Sequence, residues 1–322
     1  AGYKRLREEI ASYLVTARGV KCHCEQVIVV DGSQQALDLA IRLLLNPGDA
    51  AWLEEPGYVG ARAAFEGGGI DTVPVPVDDE GIDVAAGLRR HPEPKLIYVT
   101  PSHQWPLGSV MSIDRRHQLL ALASKVGAWI IEDDYDSEFR YSGRPLQALQ
   151  GLDGDGRVIY AGTFSKVLFP ALRIGYVVVP EDLIDAFTAA RLVIGLHSSM
   201  PHQVILAEFM AQGHFVRHMR RMRKLYADRQ QVLLRAARAE MSDVIRLDES
   251  EAGMQLIGWL PDGVSDVTAA LKAADAGINT IPLSMLYMTK APAPALILGY
   301  TGVRPPLFWR GARDLGTALR KK

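Results

Sequence analysis

Short apolar runs rich in Val and Ile alternate with helix-period stretches along the first 180 residues or so. That alternation limits the fold more than any other feature of the sequence. "QVIVVDG" (26–32) reads as a buried strand ending in glycine, and "SQQALDLAIRLLLNPGD" follows as a helix stopped by Asn-Pro-Gly. "AAWLEEPGY" is a short strand and turn, and "VGARAAFEGGG" a helix closed by glycines. "DTVPVPVD" and "KLIYVTPS" read as extended, and "SIDRRHQLLALASKVG" as a helix with Ser112 or Asp114 near its cap. "AWIIEDDYD", "RVIYAGTFS" and "RIGYVVVP" are further strands. A β-α-β-α order predicts an α/β domain with a mainly parallel sheet and helices on both faces. In such sheets ligands sit beyond the carboxyl ends of the strands. The polar residues gather there: Asp31, Gly32 and Ser33; Ser102 and His103; Asp133 and Tyr135; Thr163, Ser165 and Lys166.

After residue 180 the pattern changes. Two long helical stretches, about 181–212 and 214–240, lead into "GMQLIGWLP", "VTAALKAADAG", "INTIPL" and "ALILGYTGV", which read β-α-β-β. The expectation is a large domain over 14–212 and a smaller α+β domain over 213–322, with the helical pattern of 1–13 packing near the smaller one. Leu6, Ile10 and Leu14 share one face of that first helix. The second long helix carries Arg217, Arg220, Arg221, Arg223, Lys224 and Arg229. Such a run reads as a nucleic-acid or partner-docking face, or as a solvated face over buried Phe215, Met219, Met222 and Leu225. The solvated reading is preferred, because charge runs on helices usually face water.

Composition narrows the class. Net charge is −1 and the sequence pI about 6.8, so the chain as a whole is not a strongly basic nucleic-acid-binding domain. No apolar run approaches the roughly 20 residues of a membrane helix. Cys22 and Cys24, flanking His23, are the only cysteines. Too few ligands surround them for a metal site, and they read as a polar loop in a reducing cytoplasm. The chain opens on Ala1 and enters a helix at once, which reads as a piece of something longer, though removal of an initiator Met gives the same start.

"GTFSKVLFPALRIGY" (162–176) places Lys166 and Arg173 among glycine, hydroxyl and apolar side chains. A pyridoxal phosphate site needs a lysine amine for a Schiff base and a carboxylate facing the pyridine nitrogen. It also needs amides, hydroxyls and a cation around the phosphate, and an aromatic ring on the pyridine face. Lys166, close to a strand end among apolar neighbours, is expected to have a lowered pKa. Asp133 ends an apolar run and needs a cationic partner. Tyr135 points the same way if strand alternation persists, its hydroxyl toward the ring's phenolic oxygen. Gly32, Ser33 and Gln34 lie at a helix N-terminus that favours anions. Thr163 and Ser165 add hydroxyls, Arg173 a charge, and Tyr58 is the candidate stacking ring.

At these residues the sequence resembles the fold-type-I pyridoxal phosphate enzymes of the aspartate aminotransferase superfamily. It resembles more closely the aminotransferase-like domain of MocR-type regulators, a branch of the GntR transcription factors. "LREEIASYLVTARGV", "EEPGY", "YVTPSHQWPLGSVMS", "IIEDDYDSEFRY", "GTFSKVLFPALRIGY" and "GHFVRHMRRMRKLY" carry the resemblance over nearly the whole chain. It implies Lys166 as the Schiff-base lysine, Asp133 as pyridine partner, Tyr135 as hydroxyl donor, Arg173 and Thr163 as phosphate ligands, and Tyr58 over the ring. It implies a cytoplasmic homodimer that binds a small-molecule effector: pyridoxal phosphate, an amino acid or an amine. The ligand is expected to shift closure of the large domain against the small one. DNA is expected to be met only through an N-terminal winged helix-turn-helix that this chain does not contain. A tyrosine that often reaches the partner subunit's phosphate would lie before residue 1.

Two departures from the enzymes' pattern stand out. Ile297, in "LILGY", occupies the place of the arginine that holds a substrate carboxylate, and "HQWPLG" lacks the enzymes' asparagine, leaving His103 or Gln104 for the ring-oxygen contact. The implied function is a sensor with little or no turnover; the alternative is an aminotransferase acting on an amino acid or amine.

Overall fold

The computed structural model describes residues 1–143, 146–196 and 198–321, and divides them into two compact units. Unit 1 comprises Ala1–Gln104, Ser109–Ser137 and the described part of 144–218. Its helices and strands alternate as the sequence pattern requires: α1 (Lys4–Arg18), β1 (Val27–Val30), α2 (Ser33–Leu44), β2 (Ala50–Glu55), α3 (Val59–Gly67), β3 (Asp71–Asp78), β4 (Gly81–Ile82) and α4 (Val84–Arg90). There follow β5 (Leu96–Val99), α5 (Ile113–Val126), β6 (Trp129–Asp134), α6 (Leu149–Leu152), β7 (Val158–Thr163), α7 (Phe164–Val167), β8 (Gly175–Val178), α8 (Ile184–Gly195), α9 (Met200–Ala211) and the start of α10 (His214–Glu240).

The eight strands form one sheet in the order β1-β8-β7-β6-β5-β2-β3-β4. Strands β7, β6, β5, β2 and β3 run parallel, while β8 is antiparallel to both β7 and β1. The carboxyl ends of β1, β7, β6, β5 and β2 therefore share one edge with the start of β8. Trp52, Ile97, Val99, Ile130 and Val158 from the sheet pack on Leu119, Leu122 and Ala123 of α5 in a buried core. Ser112 caps α5 by accepting the Arg115 N–H at 3.2 Å, and Gly127 ends it in the left-handed region. Pro74 and Pro76 fit β3 because its side away from β2 is paired only at Val77 and Asp78.

Three expectations change. Helix α1 belongs to unit 1: Leu6, Ile10 and Leu14 are buried where α1 packs on α9 and β1. The stretch 181–212 is broken, with α8 ending at Gly195 and α9 restarting with Pro201 in its first turn. The division falls inside α10, between His218 and Met219, rather than at residue 213.

Unit 2 takes Trp105–Gly108, Glu138–Gly143 and the chain from Met219 onward. It holds the rest of α10, then β9 (Arg246–Leu247), β10 (Gln255–Trp259), α11 (Asp266–Asp275), β11 (Ile281–Pro282), β12 (Ala295–Gly299) and α12 (Pro305–Arg320). The sheet order is β11-β12-β10-β9, all antiparallel. Leu256, Leu296 and Leu298 bury one sheet face against Leu233 and Ala237 of α10 and Phe308, Ala312 and Leu315 of α12.

Candidate functional site

The carboxyl end of β6 reads Glu132-Asp133-Asp134, and alternation sends the three acids to opposite faces. Glu132 accepts the backbone N–H groups of Leu149 and Gln150, each at 2.8 Å. Asp134 Oδ2 accepts from Arg18 Nε at 2.8 Å and from the Tyr160 hydroxyl. Asp133 faces the other way and is 5% exposed. Its Oδ2 accepts a 2.7 Å bond from the Tyr98 hydroxyl on β5, and its Oδ1 is buried with no partner among the described residues. Burial pushes the Asp133 carboxyl up to about 6; the Tyr98 bond and the charge of Lys166 pull it down, and Asp134 and Asp136 push it further up. A buried carboxylate oxygen without a donor is costly. A protonated ring nitrogen is the kind of group that fits it, so these residues fit pyridoxal phosphate.

Tyr135 lies one residue past β6, so strand alternation does not set its direction. Its hydroxyl is 2.9 Å from His103 Nδ1, and the same nitrogen is 2.9 Å from Asp136 Oδ2. Burial raises the Asp136 carboxyl, and His103 opposes that. The Gln104 amide donates to the Pro56 carbonyl at 2.8 Å and to Glu54 Oε2 at 3.4 Å.

Strand β7, next to β6, ends at Thr163, whose hydroxyl accepts the Ser165 N–H at 3.2 Å and starts α7. Lys166 follows in that single turn and is exposed, not buried among the apolar residues that flank it in sequence. The Ser165 hydroxyl is buried without a partner among the described residues.

The fourth group surrounds the exit of β1. Gly32 has φ +124°, which glycine tolerates, and opens α2; no side chain among the described residues caps that helix. A Cβ on Gly175, the first residue of β8, would lie 2.9 Å from Gly32 Cα, so the absence of a side chain at Gly175 lets the two backbones approach closely. Arg173, just before β8, has φ +51° and is exposed. Among the described residues no hydrogen bond or ion pair engages its guanidinium. A non-glycine residue in this region is strained, and such strain clusters at functional sites. Tyr58, 36% exposed, accepts a 3.0 Å bond from Gln34 Nε2, which ties the ring to the first turn of α2. Ser33, at the first position of that helix, is half-buried. The uncapped N–H groups, Ser165, Thr163 and Arg173 form a set that can hold a phosphate.

Sequence reasoning missed Tyr98, Asp136 and Glu54. Glu54 near the end of β2 is buried; its Oε2 accepts from Thr100 N at 3.2 Å and Thr100 Oγ1 at 2.6 Å, and its Oε1 has no partner among the described residues. Burial pushes its carboxyl up to about 7. The available signal was a tyrosine in the apolar run "KLIYV": a buried hydroxyl needs a partner.

Several other sequence features resolve locally. Arg217 donates to the Gln212 carbonyl at 3.1 Å, Arg223 to that of Glu138 at 2.9 Å, and Arg229 to that of Thr301. These bonds anchor neighbouring backbone, while Phe215 and Met219 are buried. Ile297 is buried in β12, opposite Ile257 and Ile281. Cys22 and Cys24 are free thiols. Among the described residues no helix is long and apolar enough to cross a membrane.

Residues 1–291 match the family described as aminotransferase class I and II. The chain is 45% identical, over 99% of its length, to the probable rhizopine catabolism regulatory protein MocR of Rhizobium meliloti, and spans 64% of that protein. It is 39% identical over 99% of its length to the uncharacterized HTH-type transcriptional regulator YdeL of Bacillus subtilis, spanning 68% of it. Among solved structures, LysN, the alpha-aminoadipate aminotransferase of Thermus thermophilus complexed with N-(5'-phosphopyridoxyl)-L-leucine, superposes with a TM-score of 0.90 at 30% identity, covering 99% of this chain and 82% of that one.

Proposed function

The chain belongs to the aminotransferase class I and II family, and on that footing we propose that it is the pyridoxal-phosphate-binding effector domain of a MocR-type transcriptional regulator. The observation that carries the cofactor reading is the buried, unpartnered Oδ1 of Asp133 at the end of the strand beside the one that leads to Lys166. When bound, pyridoxal phosphate supplies a reactive carbonyl and a ring that withdraws electrons from attached amino compounds. Lys166 would attach the cofactor through its amine. Asp133 would hold a proton on the ring nitrogen. Tyr135, fixed by His103, would donate to the ring oxygen. Gly32, Ser33, Gln34, Thr163, Ser165 and Arg173 would hold the phosphate, with Tyr58 against the ring.

The regulator reading rests on MocR and YdeL, of which this chain spans about two thirds. DNA would be bound by a winged-helix domain elsewhere in the full-length protein. The effector would be pyridoxal phosphate itself or its adduct with an amino compound, and its effect on DNA binding is bounded by its differential affinity for the two states. A homodimer is supported by the apolar side chains exposed on α8 and α9 of unit 1 and between them, among them Leu192, Val193 (85% exposed), Leu196 and Ile205. Cytoplasmic placement follows from the regulator reading.

Titration with pyridoxal phosphate tests the cofactor reading. A visible absorbance band is expected in the wild-type protein and not in Lys166→Ala; no band in the wild type refutes it. An aminotransferase is the second reading, favoured by the likeness to LysN. Amino-group transfer to a keto acid at ordinary enzyme rates would establish it. Ile297, buried at the place of the carboxylate-binding arginine, speaks against that outcome.

A further inference from the structure

We infer that Tyr98 is the positioning residue of the ring-nitrogen site: its hydroxyl fixes which oxygen of Asp133 faces the cofactor and keeps that carboxylate ionised. The inference rests on the cofactor reading above, but its geometry stands in the protein alone. In the parallel register of β5 and β6, Tyr98 lies opposite Ile131. Side chains two apart on a strand share a face, so Tyr98 and Asp133 meet on one side of the sheet. The ring of Tyr98 is buried, and its hydroxyl ends 2.7 Å from Asp133 Oδ2.

A carboxylate can rotate to exchange its two oxygens. A fixed donor on Oδ2 removes that freedom and leaves Oδ1, the unpartnered atom, as the remaining acceptor. A phenol O–H donated to a carboxylate also stabilises the ionised form over the neutral one. The other charged and titratable groups facing Asp133 pull in both directions. Lys166 on α7 favours ionisation; Asp134 and Asp136, on and just after β6, oppose it. Glu54 on β2 is the third acid in the neighbourhood, and its own carboxyl is pushed up in part by Asp133. Among three acids and one exposed lysine, Tyr98 supplies the directed hydrogen bond. Phenylalanine at this position would keep the packing and lose that bond.

The test is Tyr98→Phe in the whole chain, first without cofactor. Carboxyl-13C aspartate spectra, with Asp133 assigned through Asp133→Asn, should show the Asp133 midpoint at higher pH in Tyr98→Phe than in wild type. With cofactor added, affinity for pyridoxal phosphate at neutral pH should fall in step with the upward shift of the Asp133 midpoint, because a protonated Asp133 cannot accept from the ring nitrogen. The signal of cofactor labelled with 15N in the ring should move toward that of a neutral pyridine. An unmoved Asp133 midpoint and an unmoved nitrogen signal overturn the inference, because a purely structural tyrosine predicts both. Should Tyr98→Phe not fold, 3-fluorotyrosine at position 98 serves instead. Its more acidic hydroxyl should lower the Asp133 midpoint below wild type, and no shift again overturns the inference. Failure of the wild type to bind pyridoxal phosphate would remove the cofactor reading and leave the Asp133 midpoint comparison intact.

Discussion

Replacing Asp133 by Asn should stabilise the cofactor-free protein at neutral pH while destroying the proposed site. The Asp133 carboxyl is pushed from 3.8 to about 6, chiefly by burial. Each pH unit of such a difference corresponds to about 1.4 kcal/mol, so carrying the ionised group costs the folded state roughly 3 kcal/mol. The sign follows from the direction. A carboxyl raised on folding contributes stability that is fully present below 3.8, and that contribution is lost as pH rises through about 6. Asn carries no charge and escapes this loss. Its NH2 would take the place of the buried oxygen that lacks a partner, which costs about 1–3 kcal/mol at every pH.

The constant part depends on packing, but the pH-dependent part does not. The stability difference between Asp133→Asn and wild type should therefore shift in favour of the variant by about 2 kcal/mol between pH 4 and pH 7, the rest of the change falling below pH 4. Neighbouring acids titrate in both proteins and largely cancel. Urea unfolding, followed by fluorescence of Trp52 and Trp129 in unit 1, measures the difference at each pH. Adding pyridoxal phosphate should reverse the order at pH 7, because ligand binding stabilises only the protein that binds it. A difference that stays flat from pH 4 to pH 7, or moves toward wild type, would refute the account of Asp133 as a buried acid held ionised at a cost.

Three further outcomes follow from the same geometry. Glu54→Gln should flatten the pH dependence of stability near neutrality, since burial raises Glu54 to about 7 and its contribution is lost as pH rises through that value; an unchanged pH–stability profile contradicts it. Lys166→Ala should leave cofactor-free stability within about 0.5 kcal/mol of wild type, because the side chain is exposed, as thermal unfolding will show. Arg173→Gly should relax a strained backbone and leave the fold intact, yet weaken pyridoxal phosphate binding about tenfold or more by calorimetry; equal affinity would remove Arg173 from the phosphate site.

The strands and their acids were legible because burial leaves a strong mark on sequence. Runs such as "VIVV" and "WIIEDD" read as buried strands, and their alternation with helices points to a mainly parallel sheet with polar residues at the strands' carboxyl ends. The C-terminal helix α12 went unread although Pro305 opens it and Phe308, Ala312 and Leu315 repeat at helical spacing. The break between α8 and α9 was marked by Gly195 and Pro201 but was lost inside a long apolar stretch. The expected environment of Lys166 failed for a different reason. Apolar neighbours in sequence do not by themselves bury a side chain in a single helical turn at a strand end, and Lys166 is exposed. The tyrosine in "KLIYV" signalled a buried hydroxyl, but its partner and the role of Asp136 depend on the register of β5 against β6 and on the loop after β6, which place residues tens of positions apart within a hydrogen bond.

Borohydride reduction of the protein saturated with pyridoxal phosphate, followed by peptide mass spectrometry, tests the central claim most directly. The account predicts one phosphopyridoxyl group, carried by Lys166. No modified peptide, or modification at a different lysine with Lys166 untouched, would contradict it.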